Sequence, residues 1–301
     1  MKRKCFIFLG IVAFVTLLYA PIVLADSILG TAGETFAVLG HEAVSNVGTS
    51  TIVGNVGVSP GSAISGFNSS PLTAVADPQV TGGLVHATTP LAAQALSDAT
   101  LAWTGLKNMP FDQDFTITPT LGGRILPSGV YHFGVAADLT GTLTLDAQGN
   151  NNAFWVFQIG TALTTASSSV VQVIHLGTNG GIDDGVYWQI GSDATLGGST
   201  AFEGNILALG SATLITAATD LNGRVFALTG AVTLGGNTIK IVCPNGGPGY
   251  SGGLEFSDST VVPIGPSGGG GGGEVPEPAT MLLLGSGLIG LAGFARRKFK
   301  K

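Results

Sequence analysis

The chain has 301 residues, of which 48 are glycine and only 10% are charged. Glycine at about twice its ordinary share, with few charges, favours short strands and tight turns over helices. Between the two ends stand four basic residues, Lys107, Arg124, Arg224 and Lys240, against 18 acidic ones, leaving a net charge of about −14 that repels phosphate and excludes nucleic-acid binding.

In chain order, residues 1–25 form a secretory signal peptide. Lys2, Arg3 and Lys4 give a basic start, an apolar run follows from Cys5 to Ala20, and Val23-Leu24-Ala25 offers small residues for cleavage before Asp26. Residues 26–245 then form a domain of about 220 residues, enough for a real core.

One segment of this domain departs from the β pattern. Thr89 is a suitable N-cap and Pro90 suits the first helical position. Leu91, Ala95, Ala99, Ala102 and Leu106 fall on one stripe, which predicts a helix over 90–107. Asn108 and Pro110 stop it. The stripe is small and flat, fit to lie along a flank, with Trp103 as a packing anchor.

Beyond the helix the chain repeats. Ala194-Thr195-Leu196, Ala212-Thr213-Leu214 and Val232-Thr233-Leu234 recur at steps of 18 and 20 residues. Phe157-Gln158-Ile159-Gly160 is answered by Trp188-Gln189-Ile190-Gly191. Such a period with glycine corners indicates stacked coils, each too small to bury its own apolar face. Alternation sends Leu143 and Leu145 to one side and Thr142 and Thr144 to the other.

Cys5 leaves with the signal peptide, so Cys243 has no partner for an internal disulfide and is expected as a small core residue. Residues 246–274 read as a Gly-rich linker ending in the run Gly268–Gly273. Pro276-Glu277-Pro278 comes next, then an apolar stretch 279–295 long enough for a thin bilayer, then a basic end from Arg296 to Lys301. This three-part order over 275–301 resembles the PEP-CTERM sorting signal of Gram-negative bacteria. The resemblance implies a transient membrane anchor, cutting by an exosortase-type enzyme after signal peptidase has acted, and a destination in the envelope or extracellular matrix, with an exopolysaccharide as a candidate partner.

Several strings of the body resemble the microbial ice-binding protein family. They are Leu29-Gly30-Thr31-Ala32-Gly33 with Phe36-Ala37-Val38-Leu39, Gly54-Asn55-Val56-Gly57-Val58-Ser59-Pro60-Gly61, and Ile64-Ser65-Gly66-Phe67. Further along come Pro127-Ser128-Gly129-Val130-Tyr131, the run Leu139–Asp146, Gly204-Asn205-Ile206-Leu207-Ala208 and Asn222-Gly223-Arg224. The resemblance runs from about residue 28 to 242. It implies a mainly β fold: a discontinuous, right-handed-type β-solenoid of roughly triangular section with one long helix packed alongside.

No catalytic or metal site stands out, and no cofactor is expected. His41, His86, His132 and His175 lack ligand spacing and read as turn or edge residues. Gly180-Gly181-Ile182-Asp183-Asp184-Gly185 is a single acidic turn without tandem copies. A polysaccharide-cleaving solenoid would cluster carboxylates on neighbouring coils, but Asp112, Asp114, Asp138, Asp146, Asp183 and Asp184 do not recur at the coil period.

The threonines do recur. With Leu196, Leu214 and Leu234 inward, Thr195, Thr213 and Thr233 point outward. Stacking would space them by about 4.8 Å, with alternate residues along a strand about 6.7 Å apart. Members of the family carry Thr-Ala/Gly-x-Thr/Asn, which the resemblance places at Thr161-Ala162-Leu163-Thr164 and Thr216-Ala217-Ala218-Thr219, with Leu163 and Ile215 as apolar neighbours. The candidate ice-binding set is therefore Thr161, Thr164, Thr195, Thr213, Thr216, Thr219 and Thr233. The reading is of a non-catalytic protein that adsorbs to the ice crystal surface; the alternative is a structural or adhesive matrix protein on the same scaffold. Threonine ladders also simply suit strands.

Overall fold

A computed structural model describes residues 27–214, 220–241 and 249–265. Its strands stack into coils of three faces. The first face has ten strands, the second seven and the third eight, and within these faces nearly all neighbours run parallel. Each coil passes from the first face to the second and then to the third, as Phe154–Ile159, Leu163–Thr165 and Val170–Ile174 do.

The stack is not in chain order. On the first face Phe36–Gly40 pairs with Val225–Ala227; on the second Ala43–Asn46 pairs with Val232–Leu234; on the third Thr51–Val53 pairs with Thr238–Lys240. The N-terminal coils thus sit behind the last C-terminal one, and the chain must return along the flank to begin the rest of the stack. The helix Pro90–Lys107 makes that return. Its 18 residues rise about 27 Å, the height of five to six strands.

Thr89 caps this helix, its hydroxyl oxygen accepting from the amide of Ala92. The buried stripe is Ala92, Ala95, Ala99, Ala102 and Leu106. Leu91, expected on that stripe, is 40% exposed, and Ala92 takes its place. Small side chains let the helix lie close on Leu39, Leu207 and Phe226 of the first face. At its end, Nε2 of the buried Gln158 donates to the carbonyls of Leu106 and Met109, both at 2.8 Å, satisfying groups a helix terminus leaves open. Trp103 is half-buried, its Nε1 donating to the Ile190 carbonyl at 3.0 Å.

Inside the coils, leucines and alanines of the second face meet an aromatic row running through Tyr131, Phe157 and Trp188 to Phe202. Burying each such leucine is worth roughly 1.5–3 kcal/mol. Coils approach so closely that a Cβ on Gly223, at φ +149°, would lie 2.0 Å from the Gly204 carbonyl oxygen.

Two expectations change. Within the 246–274 linker, Leu254–Ser257 and Thr260–Pro263 form an antiparallel hairpin packed on the helix through buried Leu254 and Val261. An apolar residue at every second position is what docks it, so this stretch belongs to the folded body. His86 is not at a turn; it is buried in the strand Val85–Ala87, where Nδ1 meets the Thr89 hydroxyl at 3.0 Å. Burial pushes its pKa down, which suits a neutral ring accepting from that hydroxyl.

The signal peptide, Cys243, the glycine run, the motif Pro276-Glu277-Pro278 and the apolar stretch 279–295 lie outside the described residues. Among those described, no helix is long and apolar enough to cross a membrane.

Candidate functional site

The second face is charge-poor: among the described residues its strands carry one charged side chain, Asp138. Its strands are mostly three residues long, with the outer two pointing in and the central one out. Ala194, Leu196, Ala212, Leu214, Val232 and Leu234 are buried to 1% or less, which forces Thr195, Thr213 and Thr233 outward.

Register then aligns them. Thr164 pairs with Thr195, Thr195 with Thr213 and Thr213 with Thr233. The row continues through Ser45, opposite Thr233, to Ser65, opposite Ser45. Six hydroxyl residues thus stand on six successive strands, at the strand spacing of about 4.8 Å. At the other end Asp138 pairs with Thr164 and interrupts the hydroxyls with a charge, and Thr120 beyond it donates to the Asp138 carboxylate at 3.4 Å. Within the described residues, none of these six hydroxyls makes a hydrogen bond, so all are open to water.

Other expected members fall elsewhere. Thr161 is exposed at the corner before the strand, its carbonyl accepting from Ser192, so its motif runs from the corner into the ladder. Leu163 is fully buried and faces the core, since the strand alternation that exposes Thr164 turns Leu163 inward. Leu163–Thr165, Ala194–Leu196, Ala212–Leu214 and Val232–Leu234 each leave one outward position, while Ala43–Asn46 and Ala63–Ser65 turn Ala43 and Ala63 outward beside Ser45 and Ser65. Ile215, Thr216 and Thr219 lie outside the described residues. Ser45 and Ser65 escape a search for the repeat because their coils precede the helix. The faint signal was Val44-Ser45-Asn46 aligning with Val232-Thr233-Leu234.

The remaining faces differ in kind. The helix covers much of the first. The third carries Glu203, Asn222 and Lys240 side by side, with Asn222 Nδ2 donating to Glu203 Oε1 at 3.0 Å. Burial pushes the Glu203 carboxyl up to about 7. The carboxylates weighed as a catalytic set are dispersed. Asp112 accepts from the Val130 amide, Asp114 from Thr116, Asp146 meets His175, Asp183 meets Asn179, and the buried Asp184 accepts from the Ala153 amide. Burial raises Asp184 to about 6. Among the described residues, no group of three or more His, Cys, Asp or Glu side chains could hold a metal ion.

A triangular stack whose first coils close behind its last, with a flanking helix and one hydroxyl-lined face, defines a discontinuous β-solenoid. Residues 38–240 match the Ice-binding-like family, and the chain belongs to it. It is 39% identical over 302 residues to an ice-binding protein of Nostoc sp. (strain HG1), covering 100% of this chain and 98% of that one. It is 33% identical to one from Colwellia sp, covering 70% and 82%. Among solved structures, an ice-binding protein from the Antarctic ascomycete Antarctomyces psychrotrophicus superposes with a TM-score of 0.60 at 32% identity, over 69% of this chain and 95% of that one. A glycosylated ice-binding protein from an Arctic yeast gives 0.62 at 30% identity, over 72% and 93%. Residues 274–298 match the PEP-CTERM protein-sorting motif.

Proposed function

We propose that this protein is exported and adsorbs to ice through the outward row Thr164, Thr195, Thr213 and Thr233, continued by Ser45 and Ser65. The observation that carries the reading is that row itself: in-register hydroxyls on a rigid face, without internal hydrogen bonds. A threonine methyl orders cage-like water and its hydroxyl tethers that water. Each contact is weak, but a rigid scaffold sums many of them at little entropic cost. The curated relatives named above are themselves ice-binding proteins, which supports the same ligand here. Adsorption without chemistry needs no carboxylate pair, and the dispersed carboxylates are consistent with a non-catalytic protein.

The PEP-CTERM match supports export and sorting of the tail to the envelope or matrix. In this reading signal peptidase cuts before Asp26, the stretch 279–295 holds the chain in the membrane for a time, and an exosortase-type enzyme cuts near Pro276, Glu277 and Pro278. Ice-affinity partitioning of the purified protein tests the function: enrichment in the growing ice is expected. Exclusion from the ice would transfer the row to a structural or adhesive role.

A further inference from the structure

A cleft of about 550 Å³ opens between the C-terminal half of the long helix and the first face, lined by Trp103, Phe111, His132, Gln158, Gln189 and Leu209. Its size is that of a small-ligand site. It lies off the hydroxyl row.

The amide of Gln189 is the informative group. Gln189 is 3% exposed, yet its side chain makes no hydrogen bond within the described residues. Its neighbour in register is Gln158, whose Nε2 is committed to the end of the helix while its Oε1 accepts nothing there. The row then turns apolar, with Leu207 opposite Gln189 and Phe226 opposite Leu207. A second apolar side chain would fit this pattern; the Gln189 amide instead opens its polar atoms to the cleft, since they are not among the fully buried, partnerless polar atoms of the described residues. The cleft therefore presents one unengaged NH₂ donor and two adjacent carbonyl acceptors.

At the rim, Phe111 stacks on His132 with centroids 4.8 Å apart and stays 50% exposed. Trp103 also lines the cleft, with Lys107 Nζ 5.1 Å from its ring centroid. No carboxylate lines the cleft.

Groups that both donate and accept match this amide pair, and neighbouring hydroxyls do both. A carboxylate ligand would need donors alone and an ammonium acceptors alone. The apolar C–H face of a pyranose ring suits an exposed aromatic ring. We infer that the cleft binds a neutral hexose unit of a polysaccharide, with Gln189 and Gln158 on its hydroxyls and Phe111 against its ring.

Isothermal titration of the full chain with linear β-1,4-, β-1,3- and α-1,4-glucose tetrasaccharides tests this, with tetraglycine as a peptide probe. Saturable binding of at least one saccharide is expected, with Kd of about 1 mM or tighter. Gln189→Leu and Phe111→Ala should each weaken it about tenfold, a loss of about 1.4 kcal/mol. Gln189→Leu should leave the melting temperature unchanged, because the amide has no internal partner to lose. Thr213→Tyr should leave saccharide binding intact. No saturable binding of any saccharide, binding of tetraglycine alone, or equal binding by wild type and both cleft variants overturns the inference.

Discussion

The guanidinium of Arg224 is buried against Glu34. Its Nη2 donates to the Glu34 carboxylate and, at 2.9 Å, to the Glu34 carbonyl oxygen, while Nη1 donates to Asn205 Oδ1 at 2.9 Å. Ser251 donates to the same carboxylate at 3.0 Å. One cation thus joins the N-terminal segment, two successive coils and the C-terminal stretch. Removing one partner of a buried pair strands the other. Because Glu34 keeps about a fifth of its exposure, Arg224→Ala should cost about 2–4 kcal/mol in denaturant unfolding. A loss within 0.5 kcal/mol, the ordinary surface range of roughly that size, would deny the clasp its role.

Gly105 sits inside the helix where alanine is normally better by roughly 1 kcal/mol. Here a Cβ would lie 2.5 Å from Val261 Cγ2 and 3.2 Å from the Phe256 ring. Gly105→Leu should therefore dislodge the hairpin at a cost of about 1–3 kcal/mol. Limited proteolysis should then cut within residues 254–263 while far-UV circular dichroism stays close to wild type. Equal protease resistance would mean that the hairpin docks elsewhere.

These contacts show what local sequence can and cannot tell. The helix was legible because its cap, proline and stripe are contiguous; the error at Leu91 was one position of phase on a stripe of small residues. The coils were legible because Ala194-Thr195-Leu196 and its copies repeat locally. The junction of Val38 with Val225 was not, since pairing across the whole domain leaves no periodic trace. The same non-local step hid Ser45 and Ser65. The hairpin was masked by glycines around it, which look like a linker until Leu254 and Val261 find a surface.

Glu203 gives a pH dependence with a definite sign. Burial raises its carboxyl to about 7 from an ordinary 4.5, so the folded state favours the proton. Its stability contribution is full below about pH 4.5 and is lost as pH rises through about 7. Glu203→Gln should stabilise the protein at pH 8 by up to about 1–3 kcal/mol and have little effect at pH 4.5. Melting curves of both proteins at the two pH values check it; an equal effect at both would show that the carboxyl keeps an ordinary pKa.

Processing predicts the mass of the native protein. The exported form should begin near Asp26 and lack the stretch 279–301. Intact-mass spectrometry of protein recovered from outside the cell reads this directly, and a mass retaining the basic end would dismiss removal of the tail.

The central claim is that the second face meets ice. An outward side chain there can be enlarged at little cost, usually within about 0.5 kcal/mol. Thr213 lies between Thr195 and Thr233 in the row, so a tyrosine ring at that position would hold the whole face off a crystal plane. Ice-affinity partitioning of wild type, Thr213→Tyr and Lys240→Ala, each verified as folded by its melting curve, is the most direct measurement. Wild type and Lys240→Ala should be taken into the ice, and Thr213→Tyr should lose about tenfold or more in partitioning, about 1.4 kcal/mol. Equal uptake of all three would place ice adsorption on another face and contradict the account.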